Sequence, residues 1–497
     1  MKKYALIFAF LATVLISSGQ LIWPQQSPEM GKFIQEESPF EITKELEADG
    51  KFVFGRIKVP QRAQVQSGLA FKLAVGIFKS RGEVTKDPLV LCAGGPGLSY
   101  LDDFVPGFAG GLGDLFLEDR DVVIIESRGL KYSEPYLHIP EIENVQFSVL
   151  DQNVGVDETI DLYTEALEKA HARFTVQGYD LSAMNPEEMT HEIAYVMTQL
   201  GYDTFSMFGS SYGTVLVQYM LLYHPDRISS AALNGTVNIY RSAYDMHVGM
   251  TDALEQAFQA VEEDAELLSS YPNLKTRFLG KISSLNKTPD TLNLMYGPND
   301  SKYKVVLNGN RVALWLFHQL YFNTQLPRSL SKICEGNYEE IEQNPGLIFP
   351  IPEFSSGLSL SVFLSGTYDL KPRHWLEGSE YEELIKGASL SLFGPYFYRE
   401  AIKAWPVAPG VDPDEIRTET PLLLMGGKFD HLCKPGYATK LAKGQKNSYL
   451  YLFDNVVHSP VDSGPCAIMM LKEFLDDPSQ APASDCMQSF KHEYASP

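Results

Sequence analysis

The stretch 204–214 reads TFSMFGSSYGT and contains the pattern G-x-S-x-G at Gly209, Ser211 and Gly213. An apolar run leads into this pattern, and a second apolar run continues from it to Tyr223. Short apolar runs that end at glycine predict strands, and longer ones predict helices. The order therefore predicts a strand, a tight turn and a helix, in which the two glycines allow close approach and Ser211 stands at the apex.

Other short apolar runs end in glycine-rich or polar turns, which is typical of buried strands in a parallel sheet. With the run before the serine included, the predicted parallel strands are 88–92, 121–126, 204–208, 229–234, 421–425 and 448–453. Two earlier runs, 51–59 and 69–78, predict an antiparallel pair. The predicted fold class is therefore α/β, with a mostly parallel sheet flanked by helices.

The residues between the fourth and fifth parallel strands do not show this alternation of strands and helices, and they are rich in Tyr, Phe, Leu and Asn. An insertion of this size after one strand predicts a cap over the sheet edge where ligands bind. Helical spacing at 254–268 and 312–321 indicates a mainly helical cap. We therefore expect a core in two parts, 20–235 and 421–497, and a large cap insertion at 236–420.

Composition narrows the possible functions. The 497 residues are 44% apolar and 21% charged, as in ordinary globular proteins. The 41 Lys and Arg against 63 Asp and Glu give a net charge of −22, and no basic run is present. Because phosphate binding needs clustered cations, we expect no nucleic-acid partner, and a neutral or cationic substrate fits better.

Residues 1–19 predict a secretory signal peptide. Lys2 and Lys3 precede an apolar run at 4–16, and small residues follow at 17–19. The run is shorter than the roughly 20 residues that cross a bilayer, so we expect an exported protein, periplasmic or extracellular, without an integral membrane anchor. A retained N-terminal anchor is the alternative.

A serine hydroxyl is a weak nucleophile that needs a base, and the base needs an orienting acid. Asp430 follows the predicted strand 421–425, and His458 follows the last predicted strand. Because parallel strands end at one edge of the sheet, these side chains are the predicted partners of Ser211. His431 is the rival base and Asp454 the rival acid.

An oxyanion hole requires two backbone N–H groups that face the substrate carbonyl. The amide of Tyr212, directly after Ser211, is one candidate. The second is expected from the turn Ala93-Gly94-Gly95-Pro96-Gly97 after the first parallel strand, with Gly95 preferred over Gly94.

Together these features resemble the α/β-hydrolase superfamily and, within it, the secreted serine exopeptidases of the prolyl aminopeptidase and tripeptidyl aminopeptidase group. The motifs that carry the resemblance are Gly94-Gly95-Pro96-Gly97, Glu126-Ser127-Arg128-Gly129 with Ser133, Gly209 to Thr214, Asp430 to Pro435, His458, and the segment from Cys466 to Cys486. The resemblance implies a disulfide between Cys466 and Cys486.

One departure from the group concerns substrate recognition. Gly366 stands where relatives carry a glutamate that helps to bind the free α-amino group, and Leu364 replaces a cysteine. An ammonium group in a pocket needs a carboxylate partner. Nearby carboxylates are candidates to replace the glutamate, although each is also compatible with a solvated helix face: Asp369, Glu377, Glu380, Glu382 and Glu383.

The resemblance and the triad predict a serine hydrolase that acts through an acyl-enzyme on short peptides or N-terminal residue amides. The expected activity is that of an aminopeptidase, with proline or short peptides released from the N-terminus. A carboxylic ester hydrolase with the same triad is the alternative, and a non-catalytic binding protein on this scaffold is the third hypothesis. We expect no metal or organic cofactor, since no metal-ligand spacing is visible.

Overall fold

The computed structural model describes residues 29–63, 69–240, 242–320, 325–366, 376–407 and 415–490. Eleven strands occur in these residues. In chain order they are β1 (Phe33–Glu36), β2 (Phe52–Pro60), β3 (Ala70–Phe78), β4 (Leu89–Cys92), β5 (Val122–Ile125), β6 (Phe205–Ser210), β7 (Ile228–Asn234), β8 (Asp290–Tyr296), β9 (Ser301–Leu307), β10 (Leu422–Gly427) and β11 (Ser448–Phe453).

Nine of the strands form one sheet in the order β1-β2-β3-β5-β4-β6-β7-β10-β11. The first three strands pair antiparallel, and β3 also pairs antiparallel with β5. From β5 to β11 every neighbouring pair is parallel. The predicted α/β class, with a mainly parallel sheet, is therefore confirmed, and all eight strands predicted from apolar runs are present.

Helices flank the sheet and fill the long insertion. In chain order they are α1 (Lys44–Ala48), α2 (Tyr100–Gly107), α3 (Gly113–Phe116), α4 (Pro140–Ser148), α5 (Val156–Val176), α6 (Pro186–Gln199), α7 (Gly213–Tyr223), α8 (Asp245–Glu263), α9 (Ala265–Ser270), α10 (Leu274–Lys287), α11 (Gly309–Gln319), α12 (Leu326–Cys334), α13 (Glu339–Gln343), α14 (Ser356–Ser365), α15 (Glu382–Ala388), α16 (Pro395–Ala404), α17 (Pro435–Lys443) and α18 (Pro465–Asp476).

The insertion between β7 and β10 differs from the prediction in two ways. The strands β8 and β9 pair as an antiparallel hairpin, which the helical prediction did not include. The helix predicted at 254–268 is two helices, because Asp264 ends α8 and caps α9 by accepting from the amides of Glu266 and Leu267. The limits of the cap at 236 and 420 remain a prediction.

The core lies at the centre of the sheet. All residues of β4, β5 and β10 are buried, as expected for strands that helices cover on both faces. The helix α7, which follows β6, is buried along nine of its eleven residues. Apolar packing thus fixes the strand and helix on either side of Ser211.

The C-terminal segment is joined to the core by the predicted disulfide. Cys466 at the start of α18 is bonded to Cys486, and the two Cα atoms lie 5.7 Å apart. Cys92 is a buried free thiol. The predicted signal peptide lies outside the described residues, and among those that are described no helix has both the length and the apolarity to cross a bilayer.

Candidate active site

Ser211 occupies a strained turn between β6 and α7. Its φ is 52°, in the left-handed region that residues other than glycine seldom adopt. The Ser211 amide donates to the carbonyl of Asn234 on β7 over 2.8 Å, and its carbonyl accepts from the Thr214 amide over 2.9 Å. These bonds hold the residue in a conformation that it would not keep alone.

The two glycines of the motif are required by close backbone packing. A Cβ at Gly209 would lie 2.6 Å from the carbonyl oxygen of Gly213. A Cβ at Gly213 would lie 2.1 Å from the carbonyl oxygen of Cys92 on β4. The structure thus agrees with the physical reason given for the motif, since any side chain at either position would push the turn away from the sheet.

Asp430 and His458 come together beyond the ends of β10 and β11. The Nδ1 atom of His458 lies 2.7 Å from Oδ2 of Asp430. The other oxygen, Oδ1, accepts from the amides of Leu432 and Cys433. The Asp430 side chain is wholly buried, and that of His458 is 11% exposed. The carboxylate is therefore fixed on one side by backbone donors and orients the ring with the other.

The charge of Asp430 governs the protonation of His458. Burial of the imidazole favours its neutral form, but the carboxylate and its hydrogen bond outweigh burial and hold the pKa of His458 well above the usual value of 6.5. An imidazole in this environment binds a proton readily once a neighbouring group gives one up.

Cys433 also belongs to this site, and the sequence analysis had not singled it out. Its Sγ atom lies within 4.8 Å of the ligand atoms that Asp430 and His458 present. Burial, and then Asp430, raise the pKa of Cys433 above its usual value, which keeps the thiol neutral. In the sequence, its position three residues after Asp430 was the feature that could have indicated a place in the site.

The rival residues have other surroundings. His431 is 2% exposed, lies edge-on to the ring of Phe317 and has a pKa lowered by burial to about 4. Asp454 is exposed and forms an ion pair with Lys428. Asp430, rather than Asp454, is the carboxylate that the structure places on His458.

The turn after β4 lies against Ser211. A Cβ at Gly94 would lie 2.9 Å from Cβ and 3.6 Å from Oγ of Ser211, so the Gly94 backbone is in contact with the serine. Gly95 has a φ of 42° and faces the side chain of Leu98. In the described part of the chain, the amides of Gly94 and Gly95 donate to no acceptor. Tyr212, the third candidate donor, is buried as the residue before α7.

A buried carboxyl group binds the start of α2, the helix that follows the Gly94 turn. Glu126, which follows β5, accepts from the amides of Tyr100 and Leu101 at the start of α2 over 2.8 and 3.1 Å. Burial raises the pKa of Glu126 to about 7, although hydrogen bonds from Ser99 and from backbone amides oppose the shift. The group therefore connects the helix that follows the Gly94 turn to the end of β5.

The long insertion contacts the same loops. The amide of Ser355 donates to the carbonyl of Gly97 over 2.9 Å, and its hydroxyl donates to the carbonyl of Gly129 over 2.6 Å. The ring of Phe354 lies where a side chain at Gly97 would be, since a Cβ there would come within 2.6 Å of it. The start of α14 is thus attached directly to the turn that contacts Ser211 and to the loop after β5.

Three of the candidate amine-binding carboxylates form ion pairs. Glu377 accepts from Nη2 of Arg399 over 2.5 Å and from the hydroxyl of Tyr244 over 3.2 Å. Glu380 lies 2.7 Å from Nζ of Lys275. Lys275 also pairs with Glu255, so this cation is shared between two carboxylates. Glu382 pairs with Lys386 at the start of α15, and the adjacent Glu383 is exposed. Asp369 lies outside the described residues.

One group of side chains has metal-ligand geometry in the part of the chain that the structure describes. Asp430, Cys433 and His458 each present a ligand atom, and these atoms lie within 4.8 Å of one another. Oδ2 of Asp430 and Nδ1 of His458 are occupied by each other. A metal ion that took both residues through these atoms would have to break that hydrogen bond.

Comparison with known proteins gives a family and several distant structures. A family model described as the alpha/beta hydrolase fold matches residues 87–465. No curated protein matches the chain. Similar solved structures include a proline iminopeptidase from Mycobacterium smegmatis, 12% identical over 85% of this chain and 98% of that one, with a TM-score of 0.41. An esterase from Exiguobacterium antarcticum is 13% identical over 82% and 97%, with a TM-score of 0.33. At these values the two structures carry no argument about this chain.

Proposed function

The chain belongs to the α/β-hydrolase fold family, and from that premise we propose that it is a serine hydrolase whose nucleophile is Ser211. The observation that carries the proposal is the hydrogen-bonded pair of Asp430 and His458 beyond the ends of β10 and β11, at the sheet edge where the strained turn of Ser211 follows β6. Nucleophile, base and orienting acid are the three parts that this chemistry needs.

In the proposed reaction Ser211 attacks the substrate carbonyl while His458 removes the hydroxyl proton. Asp430 keeps the ring in the tautomer whose Nε2 accepts that proton, and it stabilises the imidazolium that forms. The amide of Tyr212 and that of Gly95 or Gly94 stabilise the oxyanion. His458 then returns the proton to the leaving group, and a water molecule releases the acyl group by the same steps.

The proposed substrates are short peptides or N-terminal residue amides, as for an aminopeptidase. The basis is the sequence resemblance, since Glu377, Glu380 and Glu382 already form ion pairs. Glu377 and Glu380 would have to exchange Arg399 and Lys275 for the substrate ammonium group. Their pairing favours the second candidate, a carboxylic ester hydrolase that uses the same triad and needs no amine site.

Active-site labelling tests the nucleophile. We expect a fluorophosphonate probe to label the wild-type chain at Ser211, and Ser211→Ala to abolish labelling and to lower turnover by several orders of magnitude. Ser270→Ala is the control, because it removes an exposed hydroxyl at the end of α9 and is expected to retain labelling. Labelling that persists in Ser211→Ala would contradict the proposal.

Two substrate series then separate the candidate activities. An aminopeptidase cleaves aminoacyl-nitroanilides with a free α-amino group and loses activity when that group is acetylated. An esterase cleaves nitrophenyl esters and is indifferent to acetylation. Because serine peptidases also cleave activated esters, the acetylated and free nitroanilides are the decisive pair.

We also propose that the protein is exported after removal of residues 1–19. The basis is the charged start and short apolar run of the N-terminus. N-terminal sequencing of the protein from the cell envelope or medium tests this, and a mature chain that still begins at Met1 would contradict it.

A further inference from the structure

Asn234, the last residue of β7, contacts both sides of the candidate active site. It is fully buried and lies opposite Ser210 in the parallel pairing of β6 with β7. Its backbone carbonyl accepts the Ser211 amide over 2.8 Å. The main chain of Asn234 therefore helps to hold the nucleophile turn.

The side chain of Asn234 reaches the loop that carries the imidazole. Its Nδ2 donates to Oγ of Ser459, directly after His458, over 2.6 Å, and to Oγ of Ser210 over 3.0 Å. Its Oδ1 accepts from the amide of Val461 over 3.3 Å. One amide group thus uses both of its N–H donors and its oxygen to connect the residue before Ser211 with the residues after His458.

The backbone at both ends of this bridge is strained. Ser211 has a φ of 52° and Ser459 a φ of 59°, and conformations of this kind persist only where the surroundings enforce them. The adjoining Gly235 packs against the triad, since a Cβ there would lie 3.3 Å from Cε1 of His458. Asn234 is therefore placed to enforce both conformations at once.

We propose that Asn234 is a positioning residue that sets the separation between the Ser211 hydroxyl and the His458 imidazole. This inference rests on the proposed serine hydrolase function. Asn234 touches no substrate and exchanges no proton. It acts because three hydrogen bonds from one buried side chain fix the nucleophile turn and the histidine loop relative to each other, and small misplacements of reacting groups are costly to rate.

The test compares Asn234→Ala with a matched variant elsewhere. Asn308 is also a buried asparagine with two side-chain bonds, but it caps α11 and contacts Asn153, away from the triad. We expect Asn234→Ala to lower kcat about 10- to 100-fold with KM within about twofold, and to slow fluorophosphonate labelling in parallel. Asn308→Ala should keep kcat and the labelling rate within about twofold, whatever its effect on thermal stability.

A milder variant covers the case in which Asn234→Ala does not fold. Ser459→Ala removes one of the two bonds from Asn234 to the residues after His458, so we expect a smaller fall in kcat, by about 3- to 10-fold, and a change in the acidic limb of the pH profile. In the double variant the two losses should not add, because they break the same connection.

The outcomes distinguish this inference from the proposed function. If the probe labels the wild-type chain at Ser211, and Asn234→Ala and Ser459→Ala both keep the wild-type kcat, the positioning role alone is overturned. Additive losses, or a loss in Asn234→Ala no larger than that in Asn308→Ala, overturn it as well. A wild-type chain that the probe does not label overturns the serine hydrolase proposal and the positioning role together.

Discussion

The thiol of Cys433 and the imidazole of His458 lie within 4.8 Å of each other, with the carboxylate of Asp430 in the same group. A group added to this sulfur would therefore lie against the imidazole of His458 and the carboxylate of Asp430. Because Cys433 is 4% exposed, only small reagents are expected to reach it.

We predict that methyl methanethiosulfonate inactivates the enzyme at Cys433 by at least about tenfold, because the added methylthio group would displace the His458 imidazole or Asp430 beside it. Cys433→Ala should be active and resistant to the reagent. Cys334→Ala is the control, since this half-buried free cysteine lies at the end of α12, and its loss should leave the sensitivity unchanged. Peptide mass spectrometry identifies the modified residue, and inactivation of Cys433→Ala at the wild-type rate would contradict the assignment.

The pH dependence of kcat/KM should report His458. The ring must be neutral to accept a proton, and Asp430 raises its pKa, so activity is lost as the pH falls through a value above 6.5. Asp430→Asn removes the charge that favours the imidazolium, which should move this acidic limb to lower pH and reduce kcat by about 10⁴-fold. Asp454→Asn, which breaks only the exposed pair with Lys428, should leave the profile unchanged.

Glu126 should make stability depend on pH. Its pKa is raised from 4.5 to about 7 in the folded state, so between these values the folded chain holds a proton that the unfolded chain has lost. The contribution of Glu126 to the free energy of unfolding is therefore fully present below about pH 4.5. It declines as the pH rises to about 7, by an amount on the order of 3 kcal/mol. Urea denaturation of wild type and Glu126→Gln across this range measures the difference. Parallel curves for the two proteins would show that Glu126 does not titrate in this way.

Gly213→Ala should destabilise the fold, because the added Cβ would lie 2.1 Å from the carbonyl oxygen of Cys92, which belongs to a buried strand. We expect a loss of at least about 2 kcal/mol in the free energy of unfolding. Gly280→Ala is the matched control. A Cβ at this position of α10 meets nothing within 4 Å, so the change should stabilise the helix by about 0.5 to 1 kcal/mol. Equal stabilities of the two variants would refute the packing argument.

Buried parallel strands were predictable because their apolar runs stand out from the turns that follow. The strand β10 is buried throughout, and its sequence LLLMGG passes directly from apolar residues to glycine. The hairpin of β8 and β9 was missed because only alternate residues of β8 are buried, so its sequence contains no continuous apolar run. Leu292 and Leu294 on β8 are buried between exposed neighbours, and the turn around Gly297 was the signal for a hairpin.

The parts of the candidate site that directly follow a strand could be predicted from the sequence. Asp430 and His458 follow β10 and β11, and parallel strands bring such positions to one edge. Cys433 and Asn234 were not assigned to the site, because their contacts depend on how loops close after the strands end. The ion pair between Glu377 and Arg399 likewise joins positions whose proximity no local pattern indicates.

The pairing of β7 with β10 has a consequence for biosynthesis. The chain leaves the ribosome from its N-terminus, so β7 emerges long before β10, and the whole insertion is translated between them. During that interval β7 is an apolar edge strand with open hydrogen-bonding groups, the kind of surface through which unfinished chains aggregate. Molecular chaperones that bind exposed strands are therefore expected to raise the yield of active protein most when translation of the insertion is slow.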